Sequence, residues 1–249
     1  MWTIKLFSLI FILFITLISG CYPFFKKINA QSEVSFPIAE SIAAGVFLGA
    51  ALIHMLGDAS DHFYELSYQY PFAFLLAGIT FLFLLWLEHI GREIISHSGE
   101  SSGSFAILAT IMLSFHAFLM GAALGLSASF SLIVIMLAAI VAHKWAESFS
   151  LAIQINKSHF SNKINIILFG VFSLMTPLGI VVGTSATTFL KNYPLLQPIF
   201  SSLAAGTFLY LGTLHGLEKA TLIKQCCDLK RFYYVILGFS IMAIVAIWT

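Results

Sequence analysis

Charge is scarce in this chain. Asp, Glu, Lys and Arg make up 9% of its 249 residues, against about a quarter in a soluble domain. Hydrophobic residues reach 59%, which excludes a soluble globular domain and predicts an integral membrane protein. A net charge of +1 leaves no basic face for nucleic acid. Cysteine is equally sparse. Cys21, Cys226 and Cys227 show no CxxC spacing, so neither a disulfide framework nor a cysteine zinc site is indicated, and the adjacent Cys226 and Cys227 read as a reduced pair in a short loop. No GxxxxGK[ST] occurs and the loops are too short for an ATPase domain, which excludes a nucleotide-driven pump. HExxH is also missing, so the chain does not read as an enzyme.

Apolar runs of about 20 residues fill nearly the whole length, each long enough to cross a bilayer as a helix. Eight spans are expected, near 4–25, 38–58, 71–90, 105–127, 131–155, 164–190, 197–217 and 232–248. The fold class is therefore all-α and polytopic, with residues 1–249 forming a single transmembrane domain. The fourth and fifth spans are joined by little more than "SASFS" and must be antiparallel neighbours. Pro71, Pro194 and Pro198 fall at expected chain reversals, whereas Pro177 lies inside the sixth span and should kink or break it.

Loop charges set the orientation. Nine of the twelve Lys and Arg residues (Lys26, Lys27, Arg92, Lys157, Lys163, Lys219, Lys224, Lys230 and Arg231) fall in alternate loops. The tendency of basic loops to stay cytoplasmic then puts both termini outside. "ISGC" at Ile18 to Cys21 resembles a lipoprotein cleavage box, but cleavage there would invert every later loop. The first span is accordingly expected to be a retained helix.

A repeat lies within the chain. "SIAAGVFLGAALIHMLGD" (41–58) and "SLAAGTFLYLGTLHGLEK" (202–219) agree at eight of eighteen positions, including an AAGxFL core and the pair His54 and His215. Five spans separate the copies, so they cross the membrane in opposite senses. Inverted repeats of this kind, here helices 1–3 and 6–8 around 4–5, belong to transporters that alternate access to a site near the midplane.

The two central helices carry the unusual residues. His116 and Met120 share one face of the fourth span, and His143 and Glu147 share one face of the fifth. Antiparallel packing brings His116 level with Glu147 and Met120 level with His143. Gly121, Ala122, Ala123 and Gly125 would let the helices approach closely. Ionisable groups at this depth cost several kcal/mol unless partnered, so they mark function or a satisfied cluster. Two imidazoles and a carboxylate suit a borderline divalent metal such as Zn²⁺. Residue spacing alone leaves two other readings open: a structural cluster with Lys144 or His116 paired to Glu147, and a bis-histidine haem, which a Soret band would reveal.

The motifs "HKWAESFSLA", "HAFLMGAALGL", "AGVFLGAALIHMLGDA", "PFAFLLAG", "FSLMTPLGI" and "AAGTFLYLGTLHGLEK" occur in an order that resembles the ZIP family of zinc and iron transporters, over essentially the whole chain. The branch it is similar to carries HKxxEAFSLG in helix five and HSxxEGLALGL in helix four. That resemblance implies eight helices, a metal site between helices four and five, and divalent metal uptake toward the cytoplasm. It implies metal ligands at His116, His143 and Glu147. Lys144 matches a lysine that replaces an acid of a second site, implying one metal rather than two. Asp58, with Asp61 and His62 beyond it, falls at the entrance, and His215 and Glu218 fall at the exit.

Two departures stand out. Met120 occupies a position where the family usually has Glu, and Ala117 one where it has a small polar residue. Losing that Glu leaves a bound divalent ion with net positive charge beside Lys144, which weakens binding in a low dielectric. Three readings follow: Zn²⁺ carried at lower affinity, a thioether from Met120 favouring a softer ion such as Cu(I), or a non-transporting, metal-sensing relative. Further out, His54, Asp58, Asp61, His62 and Glu65 share one broad helical face that either collects cations or is simply solvated. The loop 88–104 holds His89 and His97, few for the histidine-rich segment the family often has there. Thr176 and Pro177 either open backbone carbonyls toward a path or reflect irregular packing. No permanent cofactor is expected, only Zn²⁺, Fe²⁺ or another divalent ion as substrate. The expected partners are metal ions and lipid, with a homodimer as an open option, in a plasma membrane or bacterial inner membrane.

Overall fold

A bilayer offers no water to unpaired backbone groups, so long runs of Leu, Ile, Val and Phe satisfy their own N–H and C=O groups as helices. The computed structural model describes residues 2–25, 36–96, 101–158, 160–190, 193–214 and 229–248, and among these there is no strand. The helices are α1 (Trp2–Phe25), α2 (Pro37–Gly49), α3 (Leu56–Glu65), α4 (Phe72–Ser96), α5 (Ser101–Leu126), α6 (Phe130–Lys157), α7 (Asn162–Leu190), α8 (Leu196–Tyr210) and α9 (Leu229–Val245). A π-helical stretch, Ala50–Met55, joins α2 to α3 without a break, making one long rod. Among the described residues six helical segments are long and apolar enough to cross a membrane: Trp2–Phe24, Pro37–Glu65, Phe72–Gly91, Ala106–Leu126, Phe130–Lys157 and Asn162–Thr187. Within the described residues α8 and α9 are shorter, at 15 and 17 residues. His97, His215, Glu218, Cys226, Cys227 and the loop lysines Lys26, Lys27, Lys191, Lys219 and Lys224 lie outside the described residues.

The most extensive contact is α5 against α7, and glycine makes it. A Cβ on Gly121 would run into the Thr176 carbonyl, and one on Gly183 into the Ala122 carbonyl. Small residues four apart on both helices thus bring backbone against backbone, the way membrane helices associate when lipid is as apolar as leucine. α7 runs through Pro177 as one helix, so of the expected kink or break the break is absent. A proline costs one backbone hydrogen bond, to the carbonyl four residues back, and a tightly packed membrane helix tolerates that loss.

The remaining contacts come in matching pairs. α1 packs on α6 as α7 packs on α5, and α2 packs on α9 as α8 packs on α4. Gly45 of α2 meets the Val235 carbonyl of α9, and Gly206 of α8 meets the Ala77 carbonyl of α4. Phe47 and Phe208, the aromatic residues of the two AAGxFL copies, bring their ring centroids to 4.9 Å. The helix winding also changes at equivalent points: π-helical turns begin at Ala50 and at Leu211, matching positions of the aligned copies. Single π-turns inside α-helices recur at functional sites because they rotate the residues that follow.

Four side-chain contacts tie the bundle together. Ser148 and Asn156 of α6 donate to the carbonyls of Thr16 and Pro23, binding α6 to α1. Lys5 donates 2.6 Å to the Gly125 carbonyl, placing a buried cation at the C-terminal end of α5 where the helix dipole is negative. Ser129 ends the short α5–α6 connection and caps α6, its hydroxyl accepting from the Leu132 N–H at 3.2 Å. That tight turn makes α5 and α6 antiparallel neighbours.

Candidate metal centre

On α6, His143 and Glu147 lie four residues apart and Lys144 three before Glu147, so all three point to one side. α5 brings His116 opposite them. His116, His143, Lys144 and Glu147 are each at most 1% exposed. His116 Nε2 and His143 Nε2 both stand 3.4 Å from the same carboxylate oxygen, Glu147 Oε1. The other oxygen, Oε2, accepts from Lys144 Nζ at 2.7 Å. Lys144 also lies over the Phe172 ring, 4.5 Å from its centroid, a cation–π contact that replaces part of its lost hydration.

The two Nε2 atoms have no hydrogen-bond partner, although both are buried. At 3.4 Å they are beyond the usual N–H···O range. A tetrahedral zinc ion with bonds of about 2.0–2.1 Å spaces its ligand atoms about 3.3–3.4 Å apart, close to the separations found at Glu147. One donor atom from each of His116, His143 and Glu147 lies within 4.8 Å of the others, and this is the one such group of three among the described residues. A donor set of two imidazoles and one carboxylate, with a fourth position left open, suits Zn²⁺ or a neighbouring transition ion.

Aromatic rings and α8 enclose the cluster. Phe208 stacks on His116 with centroids 3.8 Å apart and meets His143 edge-on at 5.0 Å. His116 Nδ1 is held by Thr207 Oγ1 at 2.7 Å and the Ala204 carbonyl at 3.1 Å. None of Ala204, Thr207 and Phe208 was reached by reading for ionisable residues, yet all three sit inside the repeated AAGxFL motif, which was the available signal.

The other expected site residues are distributed as follows. Met120 is buried on α5, one turn beyond His116. His54, buried in the π-helical stretch, stands 2.9 Å from the half-exposed carboxylate of Asp58 on α3. Asp61 is exposed and His62 partly so, both further along α3. His89 on α4 spends a ring nitrogen on the Leu85 carbonyl at 2.9 Å. A feature not anticipated is Glu88, buried on α4 and accepting a hydrogen bond from the Tyr210 hydroxyl of α8.

Several apolar membrane-length helices around a buried His–His–Glu cluster define an integral membrane protein of the kind that handles metal ions. The chain belongs to the ZIP zinc transporter family, whose family model matches residues 2–110 and 96–246. It is 26% identical to human zinc transporter ZIP2, with 98% of each chain covered. It is 28% identical to zinc transporter 11 of Arabidopsis thaliana, over 99% of this chain and 85% of that one. Zinc transporter ZIP1 of Takifugu rubripes is also 28% identical, over 96% of both.

Proposed function

We propose that this protein carries Zn²⁺ across a membrane toward the cytoplasm, binding it midway on His116, His143 and Glu147. The observation that carries the reading is the convergence of two buried, unpartnered imidazole nitrogens on one carboxylate oxygen at 3.4 Å. Desolvating three such groups is costly, and an ion that takes both Nε2 lone pairs offsets that cost. The full-length relatives carry transporter names, which favours transport over a sensor or softer-metal carrier.

The architecture proposed is eight spans in an inverted repeat, both termini outside. Matched helix pairings, equivalent glycine contacts, the central Phe47–Phe208 pair and the paired onsets of π-helical winding support it. In this scheme the ion gathers at Asp58, Asp61 and His62, sheds water onto the central cluster, and leaves past His215 and Glu218 as one bundle moves against the other.

The test is uptake into proteoliposomes of Zn²⁺, Fe²⁺, Mn²⁺, Cd²⁺ and Cu(I), with His116→Ala and Glu147→Ala beside the wild type. Zn²⁺ uptake that both variants abolish is expected. Wild-type vesicles no faster than empty ones would end the proposal. Epitope tags at the two termini, probed on intact cells, test the orientation, and both should be accessible.

A further inference from the structure

His116 is gripped from α8. Its Nδ1 faces the Ala204 carbonyl at 3.1 Å and Thr207 Oγ1 at 2.7 Å. A carbonyl oxygen has no hydrogen to give, so the nitrogen facing it carries the ring proton. Thr207 donates its own hydroxyl hydrogen to that same Ala204 carbonyl at 2.5 Å, which leaves its oxygen free to accept from His116. The imidazole is thereby fixed as the Nδ1–H tautomer. Its other nitrogen, Nε2, keeps a bare lone pair, buried without a partner and aimed at Glu147 Oε1. Phe208, the next residue of α8, stacks on the ring with planes 18° apart and holds its tilt.

The repeat adds an independent observation. At the position matching Thr207, the first copy has Val46, which is fully buried. Valine and threonine have the same shape, so packing of the AAGxFL motif does not call for a hydroxyl. The oxygen is present only in the copy that faces His116.

We propose that Thr207 is a positioning residue for the metal substrate: its hydroxyl oxygen accepts the Nδ1–H of His116, locks the tautomer whose Nε2 faces the ion, and gives α8 a share in the site's metal affinity. This rests on the reading of His116 as a ligand. Partners of this outer kind raise ligand basicity and hold ring orientation, and their loss costs about 10–100-fold in metal affinity or activity. The site then depends on three helices, with ligands from α5 and α6 and the lock from α8. Any rearrangement that draws α8 away from α5 lengthens the Nδ1–Oγ1 bond and loosens the ion.

The experiment compares wild type, Thr207→Val, Thr207→Ser and His116→Ala in two measurements: Zn²⁺ uptake kinetics in proteoliposomes, and Co²⁺ titration of the purified protein followed by its ligand-field absorption. Thr207→Val keeps the shape and loses the oxygen, so KM for Zn²⁺ and Kd for Co²⁺ should both rise about 10–100-fold while the melting temperature stays near wild type. Thr207→Ser, which keeps the oxygen, should restore both. Unchanged KM and Kd in Thr207→Val, or a Ser variant as impaired as the Val variant, would overturn the proposal. Should Thr207→Val fail to accumulate, Thr207→Ala against Thr207→Ser decides by the same pattern. His116→Ala separates the two layers: if it binds Co²⁺ and moves Zn²⁺ like wild type, the ligand reading itself falls. If His116→Ala is dead and Thr207→Val normal, only the role of Thr207 falls.

Discussion

Lys144 Nζ holds Glu147 Oε2 at 2.7 Å, so the ammonium occupies one oxygen of the carboxylate while two imidazoles face the other. With neutral histidines the cluster has no net charge, and an arriving divalent ion meets a carboxylate that is already paired. Lys144 therefore stabilises the ion-free state and opposes the ion-bound one.

Separating those two effects takes a double-mutant cycle. Removing one partner of a buried ion pair costs about 3–5 kcal/mol, so both Lys144→Met and Glu147→Gln should lower the melting temperature of the ion-free protein. The double variant should recover most of that loss, because neither charge is left alone. Uptake should separate cleanly from stability. Lys144→Met is expected to bind Zn²⁺ more tightly, with a larger zinc-induced rise in melting temperature than wild type. Glu147→Gln and the double variant should not transport. A Lys144→Met protein with unaltered zinc affinity would remove the competing role assigned to the lysine.

Charge balance also frames Met120, one turn from His116 on α5. Glutamate there would supply the second anion that divalent binding lacks beside Lys144. Met120→Glu should lower KM for Zn²⁺ by at least about tenfold, the factor that about 1.4 kcal/mol of added attraction supplies. The same variant should melt lower without metal, since an unpaired buried carboxylate costs stability, and higher with it. Equal zinc kinetics in Met120→Glu and wild type would show that position 120 does not reach the ion.

Packing at α5–α7 gives a third prediction. Alanine at Gly121 would drive a methyl group into the Thr176 carbonyl, whereas Gly170 of α7 has open space around it. Overpacking of this sort costs about 1–3 kcal/mol, and a backbone obstacle cannot rotate away as a side chain can. Gly121→Ala should lower folded yield and melting temperature, and slow uptake by shifting His116 relative to α6. Gly170→Ala should leave all three near wild type. Thermal melting in detergent and uptake at matched protein density measure both.

Hydropathy determined the class of this protein by itself. The scarcity of charge forces long apolar stretches into lipid, where helices alone satisfy the backbone, and the helical segments found overlap the expected spans. His116, His143 and Glu147 were legible for the same reason: an ionisable residue in an apolar run is conspicuous, and four-residue spacing plus a tight α5–α6 turn places them opposite one another. What stayed hidden involves distances between helices remote in the chain. Lys144 and His116 were equally open as partners of Glu147, and the fold gives each its own oxygen. Thr207 and Phe208 read as ordinary members of an apolar repeat until α8 is laid against α5. Pro177 read as a kink or break, and α7, packed against α5, is one unbroken helix. The tertiary structure decides such matters because a tautomer, a shared oxygen or a stacked ring turns on tenths of an ångström between backbones. Those separations are set by where glycines let helices touch, which no single helix records.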